Sequence, residues 1–152
     1  TDGDLMFIPL SGPQQPAVFV KTPLRDGGTA QFSPDGRWVA YTSNESGKTQ
    51  IYVKTFARPG SSRQVSPEQG FEPRWSPDGK RIYYFADDNR IMAVSFDDAT
   101  GTSEPSLVTE FPDPVSLYGV RPDESFAVVF TPAGKWPRNR VISDWHRLLK
   151  EK

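Results

Sequence analysis

The tetrapeptide Ser-Pro-Asp-Gly occurs at residues 33–36 and again 43 residues later, at residues 76–79. An altered third copy, Arg-Pro-Asp-Glu, stands at residues 121–124. Phe32, Trp75 and Val120 precede the three copies, and a run of apolar and aromatic residues follows each of them. A repeat of this length with β-type content is typical of propeller blades, each of which is a four-stranded antiparallel sheet.

The motif has the composition of a tight turn between two strands. Proline at its second position restricts φ to about −65°, aspartate suits the third position, and glycine accepts a positive φ at the fourth. These preferences predict a hairpin with a glycine bulge between the first and second strands of each blade. Glu124 stands at the glycine position of the third copy. We expect a looser or differently bulged turn there, because a side chain disfavours positive φ.

The repeat predicts an all-β chain with about three propeller blades in an incomplete ring. Residues 1–23 are predicted to end a preceding blade, 24–67 to form blade one, 68–112 blade two, and 113–152 the last blade and tail. The strands expected from the β-rich runs are 5–10, 17–21, 29–32, 38–43, 50–56, 63–66, 72–75, 81–86, 91–96, 106–111, 116–120, 125–131 and 140–145.

An incomplete ring leaves strand edges and the apolar faces between blades uncovered. We therefore expect self-association of the chain through its open blade edges. The sequence starts at Thr1 without an initiator methionine, which suggests a piece of a longer protein.

Composition excludes several classes of function. The 18 basic and 19 acidic residues give a net charge of −1, which provides no global attraction for nucleic acid or an anionic membrane. The absence of cysteine excludes disulfides and thiolate metal sites. No apolar run approaches the roughly 20 residues that span a bilayer. We predict no nucleic-acid partner and no membrane insertion by this chain.

Two stretches, QFSPDGRWVAYTSNESGKTQIYVKTF and PRWSPDGKRIYYFADDNRIMAVSF, resemble the TolB-like, or WD-like, β-propeller repeat of bacteria. The closing stretch RVISDWHRLLKEK is similar to the last strand and tail of propellers that end bacterial serine/threonine protein kinases and related transmembrane regulators. The resemblance implies the C-terminal half of a six-bladed propeller in a larger signalling protein. It also implies a periplasmic or extracytoplasmic location, and a cytoplasmic location is the alternative.

The sequence contains no pattern of an enzyme active site. It lacks the glycine-rich loop, His-Arg-Asp and Asp-Phe-Gly motifs of a kinase, and the Gly-x-Ser-x-Gly turn of a hydrolase. The single histidine, His146, lies near Ser143 and Asp144 at the end of the chain, where we expect it to be solvated. We predict no catalytic residue and no cofactor.

Clusters of acidic residues also have a structural explanation. Residues 87–89 and 97–98 are rich in carboxylate and amide oxygens, but their spacing does not match a calcium loop. Asp35, Asp78 and Asp123 recur at one position of the turn motif, which explains them without a ligand. We predict no metal site.

Binding residues are expected on the first strand of each blade, which lies nearest the axis of a propeller. By alternation along these strands, Gln31, Glu72 and Arg74 are candidates for ligand contact at the mouth of the pore. The alternative is that they pair with neighbouring blades or with solvent. The aromatic residues of the strands are expected to form the core between blades rather than a platform for nucleic-acid bases: Trp38, Trp75, Tyr83, Tyr84 and Phe85.

These observations predict a non-catalytic propeller that binds a protein, a peptide or a small ligand at its face, as the sensor end of a kinase-linked bacterial signalling protein. Two alternatives remain open. One is the substrate-gating propeller of a prolyl-oligopeptidase-like serine hydrolase, and the other is a TolB-type periplasmic scaffold.

Overall fold

A computed structural model describes residues 4–21, 29–56, 60–87, 89–130 and 141–142. Every regular element in these ranges is a β-strand. The strands are β1 (Leu5–Phe7), β2 (Ala17–Val20), β3 (Ala30–Phe32), β4 (Trp38–Ser43), β5 (Gln50–Thr55), β6 (Arg63–Gln64), β7 (Phe71–Trp75), β8 (Arg81–Phe85), β9 (Arg90–Asp97), β10 (Gly101–Thr102), β11 (Ser106–Glu110), β12 (Val115–Val120), β13 (Phe126–Phe130) and β14 (Val141–Ile142).

The described strands form four antiparallel sheets, each built from strands that are consecutive in the sequence. Strands β1 and β2 pair with each other, and β3 to β6 form a four-stranded sheet in chain order. In the next sheet β7, β8 and β9 follow one another, and both β10 and β11 pair with β9. Strands β12 to β14 form the last sheet. This succession of meanders is the blade architecture that the repeat predicts.

The observed strands agree closely with the predicted ones, and β4 has the predicted bounds. The prediction missed β10, a strand of only two residues that follows the turn after Asp97. Of the predicted strand 140–145, residues 141 and 142 are described and pair with β13, and the others lie outside the described residues. The blade boundaries stay a prediction.

Both Ser-Pro-Asp-Gly copies form the predicted turn. The Gly36 N–H donates to the Ser33 carbonyl at 2.8 Å, and the Gly79 N–H donates to the Ser76 carbonyl at 2.9 Å. The φ angles of the two glycines are 70° and 72°. The Ser33 hydroxyl oxygen accepts a hydrogen bond from the Trp38 N–H at 2.9 Å, so this serine closes the hairpin. The residues of the motif therefore have a structural role in the hairpin.

The third copy keeps the turn with a shorter hairpin. The Glu124 N–H donates to the Arg121 carbonyl at 2.9 Å, and Glu124 has a φ of 60°. The expectation of a looser turn is thus wrong, because this glutamate adopts the positive φ that it was expected to avoid. The hairpin is differently bulged, as expected, since the Arg121 N–H donates to the carbonyl of Ser125 one residue earlier than in the other copies.

The hydrophobic core lies between the sheets. One cluster joins the β3–β6 sheet to the β7–β11 sheet, and a second joins the latter to β12 and β13. In the first cluster the Phe96 ring lies edge-on to Trp38 and Trp75, with ring centroids 5.1 and 5.0 Å away. All five aromatic residues predicted for this role are buried in these clusters. Their assignment to the inter-blade core is confirmed.

Candidate functional site

Gln31 lies on β3 and contacts the first strand of the next sheet. Its side-chain oxygen accepts a hydrogen bond from the Trp75 main-chain N–H at 2.7 Å. Its main-chain carbonyl accepts a second bond from the Trp75 indole N–H at 3.2 Å. Gln31 therefore joins the inner strands of two neighbouring blades.

Arg74 on β7 makes the corresponding connection to β12. Its Nε donates to the Tyr118 carbonyl at 3.2 Å, and its guanidinium lies 5.4 Å from the centroid of the Tyr118 ring. In return, the Tyr118 hydroxyl donates to the Glu72 carbonyl at 2.9 Å. Tyr118 is deeply buried, and this burial raises the pKa of its hydroxyl well above the usual range. These reciprocal bonds orient the Arg74 side chain.

Glu72 sits at an irregularity in β7. The register with β8 shifts between Phe71 and Arg74, and Glu72 has a φ of 50°. A left-handed conformation costs a non-glycine residue roughly 1–2 kcal/mol, so the surrounding structure must maintain it. Such bulges redirect a side chain and are frequent near binding sites.

The Glu72 carboxylate is incompletely satisfied. Its side chain is 22% exposed, and its Oε2 atom is buried without a hydrogen-bond partner. The nearest cation is Arg74, whose Nη2 lies 3.7 Å from this oxygen. Burial raises the pKa of the Glu72 carboxyl, and Arg74 opposes part of that shift. A buried acceptor without a donor is costly to a fold, which makes Glu72 a candidate functional residue.

The structure thus brings Glu72 and Arg74 together on one strand and places Gln31 at the adjoining blade interface. Gln31 and Arg74 bond to the neighbouring blades, which was the alternative to ligand contact. Their role in ligand binding stays a prediction. Tyr118 was not among the predicted site residues, and its bonds to this site span 44 and 46 residues.

A concavity of about 270 Å³ lies between the two Ser-Pro-Asp-Gly turns and residues 97–98. Asp35 accepts hydrogen bonds from the Ser33 hydroxyl at 2.6 Å and from Arg37, and these lower the pKa of its carboxyl. The Ser76 hydroxyl donates to Asp78 in the same way and lowers the pKa of that carboxyl. Both carboxylates therefore serve the turns, as predicted.

Within the described ranges, no group of three or more His, Cys, Asp or Glu side chains is arranged to hold a metal ion. Asp88, Ser143, Asp144 and His146 lie outside those ranges, so the predictions about them remain predictions. In the part of the chain that the structure describes, no helix has the length and apolar character needed to cross a membrane.

Comparison with solved structures identifies the fold. A crystal structure of TolB from Acinetobacter baumannii matches with a TM-score of 0.63 and 22% identity, covering 91% of this chain. The chain has the fold of a partial TolB-like β-propeller. The structure of a protein assigned as TolB from Agrobacterium tumefaciens also matches, with a TM-score of 0.63 and 20% identity. This match covers 83% of the present chain.

The propeller fragment spans 34% of the Acinetobacter protein and 47% of the Agrobacterium protein. The predicted fold class, an incomplete all-β propeller, is confirmed by these matches and by the sheet topology. No protein-family model matches the sequence, and no curated protein matches it.

Proposed function

We propose that this propeller fragment is a non-catalytic binding module that recognises a protein, a peptide or a small ligand at its inner strands. The observation that carries the proposal is the Glu72 carboxylate. It is held at a strained bulge and leaves one buried oxygen without a hydrogen-bond donor. Strained backbone and unpaired buried polar atoms concentrate at functional sites, because elsewhere they only destabilise a fold.

The chemistry of the site favours a ligand that donates hydrogen bonds. A peptide N–H or an ammonium group can donate a hydrogen bond to the Glu72 carboxylate. Arg74 is already oriented by its hydrogen bonds to the main-chain carbonyls of Pro73 and Tyr118. The inner strands supply a rigid surface, so recognition needs little reorganisation of the protein.

The test uses peptides selected from a random display library on the full chain. Each selected peptide is then measured against the wild type, Glu72→Gln and the matched control Glu68→Gln, whose residue is exposed. The amide preserves the shape of the side chain and removes its charge. We expect Glu72→Gln to weaken binding by about tenfold or more, and Glu68→Gln to leave it unchanged. Equal binding by both variants would place the site elsewhere.

We further propose that the module is the extracytoplasmic sensor end of a kinase-linked bacterial signalling protein. The resemblance of residues 140–152 to the tails of such propellers supports this placement. The complete open reading frame tests it. A kinase or DNA-binding module supports the proposal, whereas a Gly-x-Ser-x-Gly domain would favour the gating propeller of a hydrolase. A signal peptide without an effector domain would favour a periplasmic scaffold.

A further inference from the structure

The irregularity in β7 is a bulge whose two carbonyls bind side chains. Glu72 and Pro73 together stand opposite the single residue Tyr84 of β8, so the ladder of main-chain hydrogen bonds is interrupted there. The Glu72 carbonyl accepts a hydrogen bond from the Tyr118 hydroxyl at 2.9 Å. The Pro73 carbonyl accepts one from Arg74 Nη1, also at 2.9 Å. Two side chains therefore stabilise the main chain of the bulge.

Tyr118 connects this bulge to the neighbouring sheet, since it lies on β12. Besides the hydrogen bond from its hydroxyl to Glu72, its own carbonyl accepts one from Arg74 Nε at 3.2 Å. The Tyr118 ring has little freedom to move, because it is 5% exposed and packs edge-on against Phe85, with ring centroids 4.7 Å apart. Burial also raises the pKa of its hydroxyl, which stays protonated and able to donate. One rigid residue of the β12–β14 sheet thus binds both charged residues of β7.

Glu72 depends on such a restraint from outside its own strand. Its φ of 50° is unfavourable for a residue with a side chain, so an unrestrained Glu72 would return to negative φ. That rotation would change the direction of its carboxylate relative to Arg74, whose Nη2 lies 3.7 Å from Glu72 Oε2. A hydrogen bond that holds the Glu72 carbonyl therefore controls where the carboxylate lies.

We propose that Tyr118 is a positioning residue of the Glu72 site, so that the β12–β14 sheet sets the affinity of β7 for its ligand. The inference rests on the proposed function, in which the Glu72 carboxylate accepts a hydrogen bond from that ligand. Tyr118 acts through the main chain of Glu72 and not by touching the ligand. Holding the carboxylate in its binding orientation before the ligand arrives lowers the cost of ordering it on binding.

The variant that tests this role is Tyr118→Phe in the full chain. It removes the hydroxyl and keeps the ring, with its packing against Phe85 and its contact with the Arg74 guanidinium. Tyr83→Phe is the matched control, because Tyr83 is a buried tyrosine of the same hydrophobic cluster. The Tyr83 hydroxyl lies 3.5 Å from Arg81 Nη1 and has no hydrogen bond to the bulge. Both variants therefore remove one hydroxyl from the same core.

The first measurement needs no ligand and follows the Glu72 carboxyl by NMR during a pH titration of the chain with isotope-labelled glutamate. Burial raises the pKa of this carboxyl in the wild type. We expect Tyr118→Phe to bring the pKa closer to that of an ordinary glutamate, because a released carboxylate gains contact with water. Tyr83→Phe is expected to leave the pKa unchanged. The same Glu72 pKa in the wild type and in Tyr118→Phe would overturn the proposal.

The second measurement is a double-mutant cycle with the peptides selected on the full chain. Tyr118→Phe is expected to weaken their binding by about threefold to tenfold, as for the loss of one hydrogen bond. In the Glu72→Gln background the same substitution is expected to change binding by less than about twofold, because Tyr118 acts through that carboxylate. An equal loss in both backgrounds would mean a purely structural role and would contradict the proposal. So would a normal affinity of Tyr118→Phe where Glu72→Gln binds weakly.

The two measurements separate this inference from the function on which it rests. If Glu72→Gln binds the peptides as well as the wild type does, the proposed ligand site is wrong. A Glu72 pKa that responds to Tyr118→Phe still supports the positioning of the bulge by Tyr118 in that case.

Discussion

Gln31 binds Trp75 through two hydrogen bonds, one from the main-chain N–H at 2.7 Å and one from the indole N–H at 3.2 Å. The two residues are 44 positions apart, and the same separation joins Arg74 to the carbonyl of Tyr118. The inner strands of successive blades are thus connected at intervals of about one repeat. Polar residues on the first strands of the blades contribute in this way to the cohesion between neighbouring sheets.

Gln31→Ala is expected to destabilise the chain by about 0.5–1.5 kcal/mol, because the Trp75 main-chain N–H loses its acceptor in a half-buried hydrogen bond. The indole bond to the Gln31 carbonyl is retained, since it involves the main chain. Urea unfolding followed by tryptophan fluorescence measures the change. The exposed Gln69→Ala serves as control, and an equal free energy of unfolding for both variants would contradict the assigned role of Gln31.

Gly36→Ala is expected to destabilise the chain by about 1 kcal/mol, because Gly36 has a φ of 70°. An added Cβ at Gly36 meets no atom within 4 Å, so backbone strain alone is responsible. Glu124→Gly is expected to have the opposite sign, since it relieves a φ of 60° at the equivalent turn. The exposed ion pair between Glu124 and Arg81 contributes little to offset this gain. Thermal unfolding by circular dichroism compares the two variants, and a stabilised Gly36→Ala would refute the strain argument.

Gly70→Ala is expected to destabilise the chain by about 1–3 kcal/mol through overpacking. A Cβ at this position would lie 2.9 Å from the Ser66 hydroxyl oxygen, 3.0 Å from Ile51 Cγ1 and 3.1 Å from Tyr84 Cδ2. Gly119→Ala is the matched control, because nothing lies within 4 Å of its added Cβ. Denaturant unfolding separates the two variants. Similar losses for both would show that the close approach at Gly70 is relaxed at little cost.

Glu72→Gln is expected to stabilise the chain at about pH 7 and to have no effect at about pH 4. Burial raises the pKa of this carboxyl in the folded state, so the folded chain binds the proton more tightly than the unfolded chain does. The contribution of Glu72 to stability therefore falls as the pH rises from its ordinary pKa through the raised one. Unfolding free energies across this range measure the effect. A variant less stable than the wild type at neutral pH would mean that the pairing with Arg74 outweighs desolvation.

The strands and turns were predictable because their causes are local. The turn motif restricts φ at its proline and favours a positive φ at its last position, and a run of apolar and aromatic residues defines the strand that follows it. The two-residue strand β10 was missed, because so short an element has no periodicity to detect. Glu124 shows the limit of residue preference, since the strands on either side of its turn impose the positive φ.

The sequence by itself determined the hairpins, because each depends on neighbouring residues, and the blade architecture, because the motif recurs at an interval of about one blade. Only the tertiary structure decided what the inner-strand residues do. Gln31 finds its partner 44 residues away, and the strain at Glu72 arises from the register of β7 against β8. The first pairing depends on how two sheets pack and the second on how two strands of one sheet align, and the preferences of single residues specify neither.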